Sequence, residues 1–284
     1  MSPSRNEAIT LWMLRGAASI SGMVVLFIVA FLFIEALPAL KEIGLFRFFN
    51  DDSWHPVEGT FNLAPMLLGT LLATLGALVL AAPLGVLSAV FIRYYAPPIL
   101  GRIYRRLIGL LAGIPSVVYG FWALVVLVPI IGRIHPPGPS LLAGILILAL
   151  MILPTIALLA DASLSAVPQQ TLQGAAALGL SRWSTVTGVA LPAARAGLTT
   201  SMILAVGRAL GETMALLMVS GNVVQIPHSL FDPIRTLTAN IALEMAYAMG
   251  EHRSALFVSG LVLMAIIAAL VLFSERLNRG RVRA

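Results

Sequence analysis

The sequence predicts an all-α, polytopic membrane protein of about six transmembrane helices, on three observations. Hydrophobic residues fill 59% of the 284 positions and charged residues only 11%, against about 25% charged in an ordinary soluble domain, so a water-soluble fold would lack the polar surface to cover its apolar content. The apolar residues come in blocks near or above the roughly 20 that a helix needs to cross a bilayer core of about 30 Å. Finally, the basic residues gather on one side of those blocks.

In order, the blocks predict spans over 16–37, 65–92, 107–131, 140–160, 197–220 and 254–274. The first block ends in Glu35-Ala36-Leu37-Pro38, without a small-residue cleavage site, and is read as a retained helix rather than a signal peptide. Residues 16–274 then form one transmembrane domain, with tails at 1–15 and 275–284. Loops at 38–64 and 221–253 lie on one side and a long connection at 161–196 on the other. An even number of spans puts both termini on one side. Lys41, Arg47, Arg133, Arg235 and Arg253 lie on the opposite side and Arg208 falls inside a span, so the terminal side carries the other twelve of the eighteen basic residues. The positive-inside rule makes that side cytoplasmic. The aromatic stretch 41–62 (Phe46, Phe48, Phe49, Trp54, Phe61) is expected to form an interfacial belt. Leu237, Ile241, Met245 and Ala248 fall at helical spacing, which predicts a short amphipathic or partly re-entrant helix within 236–249.

Several classes of function are excluded or disfavoured. Without cysteine, disulfides and thiolate chemistry are impossible. His55, His135, His228 and His252 fall in polar connections with no metal-binding spacing and are read as surface residues. The formal charge of +6 marks membrane orientation rather than nucleic-acid binding, and the basic tail is read as facing anionic lipid. The sole lysine, Lys41, follows Ala39-Leu40 rather than a glycine-rich loop, so no phosphate-cradling ATP site exists in this chain. Any ATP that drives it is bound elsewhere.

Three stretches can carry chemistry. In the fifth block, Arg208 and Glu212 stand four residues apart; a charge at the middle of a membrane helix costs roughly 2.5–3.5 kcal/mol even on lenient scales, so such charges are read as functional by default. A continuous helix would place both on one face, with Ser201 close to the same stripe, where the pair could neutralise itself. The pair is either a structural ion pair or, as arginine's forked donors favour, an oxyanion contact at Arg208 held in place by Glu212. In the third block, Gly113-Ile114-Pro115-Ser116 loosens the backbone ladder. The result is either a plain kink or a break that turns free N–H groups and the Ser116 hydroxyl towards an anion. Pro83, Pro154 and Gly69-Thr70 are read as packing and kink features. In the long connection, the run from Gln173 to Ala177 predicts a small-residue helix stopped at Gly179. A second short helix from Ser181 and a return to the membrane at Pro192 complete a compact knob suited to a partner's groove.

This last pattern resembles the EAA loop of permease subunits from binding-protein-dependent ABC importers. Ala175, Gly179, Val189, Leu191 and Pro192 match its spacing, while Gln173 and Gly174 stand where that family has Glu and Ala. The stretches Ser53-Trp54-His55-Pro56, Pro65 to Thr70, Ala112 to Phe121 and Gly207 to Ala215 are similar to the PstC type of phosphate permease, over most of the chain from Phe33 to Asn278. The resemblance implies a type I importer permease (MetI-like) fold in the bacterial inner membrane, without catalysis of its own. It also implies a second, PstA-type permease, two PstB-type ATPase subunits that bind ATP-Mg, and an external PstS-type phosphate-binding protein. Alternatives are a sulfate or molybdate permease, the PstA-type partner itself, or an ion-gradient transporter.

Overall fold

The computed structural model describes residues 5–279; the outer parts of the expected tails, 1–4 and 280–284, lie outside them. Among the described residues, six helices are long and apolar enough to cross a membrane: Thr10–Glu42, Ala64–Tyr95, Ser116–Ile134, Leu141–Ser165, Arg182–Leu210 and Gly250–Phe273. They belong to helices α1 (Arg5–Glu42), α3 (Ala64–Val90), α5 and α6 (Ser116–Trp122, Val128–Ile134), α7 (Leu141–Ser165), α9 and α10 (Arg182–Thr185, Leu191–Leu210) and α13 (Gly250–Arg279). Alternation along the chain defines a terminal face, where α1 begins and α13 ends, and an opposite, distal face.

At the centre, α3 and α7 pack along their lengths. With lipid as solvent there is little hydrophobic drive between helices, and close approach through small residues takes its place. Ala73, Ala77 and Ala81 recur every fourth residue of α3 and are fully buried. Between them, a Cβ on Gly76 would stand 2.6 Å from Ile145 Cδ1, and one on Gly85 2.7 Å from Ile156 Cγ2, so the isoleucines of α7 seat directly on the α3 backbone. Around this pair, α10 lies against α3 and α7, whereas α1 is held chiefly by α13. Arg253 of α13 reaches Glu35 of α1 at 3.6 Å.

Two spans differ from expectation. The third is not a continuous helix over 107–131: residues 107–112 belong to α4 (Pro98–Ala112), and the helix restarts at Ser116 after Gly113-Ile114-Pro115. Proline disfavours helical backbone in the residue before it, which ends the first helix. The fifth span extends from Arg182 to Leu210 rather than from 197 to 220. Its α9 runs through a π-turn at Val186–Ala190 straight into α10, so Pro192 does not bound the span. The wider turn accommodates a proline that has no N–H and would clash within a regular ladder.

On the distal face, residues 47–63 form a small cap rather than a belt. Helix α2 (Arg47–Asn50) and a two-stranded hairpin, β1 (Trp54–His55) with β2 (Thr60–Phe61), bury Phe48, Trp54 and Phe61, leaving Phe46 and Phe49 exposed. The expected short helix is α12 (Leu237–Glu244), capped by Thr236 Oγ1, which accepts from Ala239 N.

Candidate translocation and coupling sites

Arg208 occupies the last turn of α10 and is exposed. The expected ion pair with Glu212 does not form: among the described residues no carboxylate lies within ion-pair distance of Arg208. The reason is local. Helix α10 stops at Leu210, Gly211 bonds back to Gly207 O, and α11 (Met214–Val219) begins three residues later. Glu212, only 9% exposed, turns its carboxylate forward, and Oε1 accepts from the N–H groups of Thr213 (3.1 Å) and Ala215 (3.2 Å). The carboxylate thus satisfies orphan donors of the helix that follows it, instead of facing a residue one turn behind.

The break is stitched to its neighbours. Thr238 Oγ1, at the start of α12, donates to the Glu212 carbonyl at 2.6 Å, and Leu237 N donates to Thr70 Oγ1 at 3.0 Å. Thr70 is therefore an anchor for α12 as well as a packing residue. Alongside lies the other broken span. Helix α5 packs on α11 so closely that a Cβ on Gly120 would come within 2.8 Å of Ala215 Cα. Tyr119 of α5 bridges its own break, donating from its hydroxyl to Leu111 O of α4 at 2.8 Å. Ser116 is the first residue of α5, one helical turn before Tyr119. The break that follows Arg208 thus leads directly into α11, which packs on the helix that Ser116 opens. No hydrogen bond joins Arg208, Glu212 and Ser116 to one another among the described residues. Tyr119 and Thr238 were given no role in the sequence, and Thr70 only that of a packing feature; hydroxyl residues inside apolar blocks were their one available signal.

On the terminal face, α8 (Gln169–Ala177) ends in a Schellman cap: Leu180 N donates to Ala175 O and Gly179 N to Ala176 O, with Gly179 at φ +70°. Ser181 Oγ accepts from Ser184 N at the start of α9. Ala175 is buried, whereas Gln173, Gly174, Leu178 and Trp183 face outward. Val189 and Leu191 are half-buried and Pro192 is exposed, all on the continuous helix above the knob.

The distal face holds a network that sequence reading missed. Glu244 Oε1 accepts from Arg235 Nη1 at 2.7 Å, and Oε2 from Trp54 Nε1 at 2.8 Å. His252 Nε2 lies 2.8 Å from Oε2 and, against an acceptor-only carboxylate, carries its hydrogen there. His252, with a side chain only 16% exposed, is thus no free surface residue. A second pair, Arg105 to Asp161, is bidentate at 2.8 and 3.1 Å and pins α4 to α7.

Broken membrane helices, an arginine without a carboxylate partner among the described residues and a compact knob on the terminal face are thus set in one helical membrane domain. Residues 81–283 match the family described as the binding-protein-dependent transport system inner membrane component, and the chain belongs to that family. It is 36% identical over 262 residues to the probable ABC transporter permease protein YqgH of Bacillus subtilis, covering 89% of this chain and 85% of that protein. It is also 36% identical over 285 residues to the phosphate transport system permease protein PstC of Mesorhizobium japonicum, covering 93% and 84%. Among solved structures, a chain of the MetNI methionine ABC transporter in an inward-facing conformation superposes with TM-score 0.60 at 21% identity, covering 80% of this chain and 96% of that one. A chain of a bacterial alginate ABC transporter superposes with TM-score 0.64 at 15% identity, covering 94% of each. These two matches speak for the fold alone, which is that of ABC importer permeases. The chain is a multi-pass inner-membrane protein.

Proposed function

We propose that this chain is one permease subunit of an ATP-driven importer for inorganic phosphate, and that Arg208 is its contact with the passing oxyanion. The observation that carries the site assignment is an exposed guanidinium inside a span, beside two helix breaks, with no carboxylate partner among the described residues. A membrane cation left in that state favours an anion as its missing partner. Arginine offers a phosphate two parallel donors, and the first turn of α5 with Ser116 adds backbone N–H groups and a hydroxyl. Glu212 positions the break instead of neutralising Arg208. Relatives described as phosphate permeases favour phosphate over sulfate or molybdate and the PstC type over the PstA type. Family membership argues against an ion-gradient transporter.

The rest of the assembly follows from the family. The distribution of basic residues supports a cytoplasmic terminal face. There the knob formed by Gln173, Gly174, Ala175 and Gly179 would dock on a pair of PstB-type ATPase subunits, which bind the ATP-Mg. Val189, Leu191 and Pro192 would carry its movement into α10. A PstA-type permease would complete the pathway and a PstS-type protein would deliver phosphate to the distal face. The chain itself makes and breaks no bonds; it alternates access to the two sides.

The test is phosphate uptake by the assembled importer in proteoliposomes containing ATP. Losing a charge-assisted contact of about 1.5–3 kcal/mol predicts an uptake loss of roughly tenfold to a hundredfold for Arg208→Ala. Arg208→Lys, without the fork, should restore little of it. An Arg208→Ala importer that assembles and transports at the native rate would overturn the assignment.

A further inference from the structure

The terminal face holds a basic cavity, far from Arg208. Arg93 and Tyr94 lie in the π-turn (Phe91–Tyr95) that ends the second span, and Arg182 and Thr185 open the fifth. Between them is a pocket of about 380 Å³, walled by Leu172 and Ala176 of α8. Arg182 and Arg208 stand at opposite ends of one continuous helical span, roughly 40 Å apart at 1.5 Å per residue, so the two sites are distinct.

The charges of this pocket are unbalanced. Neither Arg93 nor Arg182 has a carboxylate within ion-pair distance among the described residues, and Asp161, on the same face, is already held by Arg105. The Tyr94 hydroxyl, in the pocket wall, is buried with no hydrogen-bond partner. Two exposed arginines therefore border, with Thr185 and the Tyr94 side chain, a space too small for a helix and ample for a small anion. The apolar wall weakens solvent screening of the charges, and guanidinium geometry matches phosphate oxygens.

We propose that this cavity binds a phosphate-group anion that bridges the end of the second span to the coupling knob and the foot of the fifth. Two sources share that chemistry, free inorganic phosphate and the headgroup of an anionic phospholipid. Either would tie the foot of the fifth span to the end of the second through Arg182 and Arg93, over the α8 wall. The assignment stands independently of the role given to Arg208.

The assembled importer, ATPase subunits included, is purified carrying Arg208→Ala, so that the translocation site cannot contribute, with and without Arg93→Gln/Arg182→Gln. In the first arm, its thermal midpoint is followed in detergent against added inorganic phosphate. In the second, native mass spectrometry counts lipids retained from vesicles of phosphatidylcholine with or without phosphatidylglycerol. Either a half-saturating phosphate concentration raised at least about tenfold by the double substitution, or loss of retained phosphatidylglycerol, supports the site and names its source. Arg182→Gln alone, at an exposed position, should weaken the same response about threefold, and decides the matter if the double variant does not assemble. Parent and variants alike in both arms would overturn the proposal.

Discussion

Each of the two charges at the end of the fifth span sits beside a helix terminus of opposite partial charge. Arg208 lies in the last turn of α10, where carbonyls point outward, and Glu212 beside the first N–H groups of α11. Arg208 is therefore stabilised without being neutralised, which an ion pair would have prevented. Another carboxylate, Asp51 of the distal cap, permits a pH prediction. Burial opposes ionisation of Asp51, but a bond from Phe61 N at 2.9 Å and the Arg47 guanidinium outweigh it and hold its pKa below the ordinary value. A depressed folded pKa means that this stabilisation is present above the unfolded carboxylate range of about 4 and fades as the pH falls through the lower folded value. Amide exchange at Phe61 should accelerate across that acid window, and Asp51→Asn should exchange quickly at every pH. Arg208 was legible in the sequence because a charge in an apolar block is conspicuous by composition. The partner of Glu212 was not, because it depends on where the helix ends.

At the scale of elements, the knob is two short helical segments joined by one left-handed residue. A Cβ at Gly174 would meet nothing within 4 Å, so Gly174→Ala should be accommodated and stabilise α8 by about 1 kcal/mol. A higher thermal midpoint with an unchanged ratio of ATP hydrolysed to phosphate imported would bear this out. Gly179 differs: its surroundings are equally open, but φ +70° is costly for a side-chain-bearing residue. Gly179→Val should cost roughly 1–2 kcal/mol at the cap and raise that ratio as the knob loses its shape; unchanged coupling would count against the docking role. The helix, its stop at Gly179 and the restart at Ser181 were all legible from small residues, glycine and serine. The continuity of the following helix through Pro192 was not, because a proline reads as a boundary until a π-turn is seen to accommodate it.

For the whole molecule, two devices hold the spans in register. Small residues let α3 and α7 touch in the interior, and the Glu244 network joins hairpin, loop, α12 and α13 at the distal face. Since α12 also carries Thr238, bonded to the Glu212 carbonyl, this network reaches the break beside the proposed translocation site. Removing the charge of a buried, multiply bonded carboxylate leaves Arg235 uncompensated. Glu244→Gln should therefore cost about 3 kcal/mol, lower the thermal midpoint and speed amide exchange across α12 before it affects α8. Exchange rising equally in both would show that the network does not act locally.

Apolar block length and the placing of basic residues were sufficient to determine a six-span inner-membrane helical protein, because crossing a bilayer imposes a length and a composition on every span. The motif around Gly179 and the isolated charge at 208 likewise stand out against an apolar background. Tertiary structure alone decided that Glu212 caps α11, that the Tyr119 hydroxyl reaches Leu111 O across its break, and that Trp54, Arg235, Glu244 and His252 meet. Those contacts join residues up to 190 positions apart, and they depend on helix ends and close approaches that no local pattern encodes.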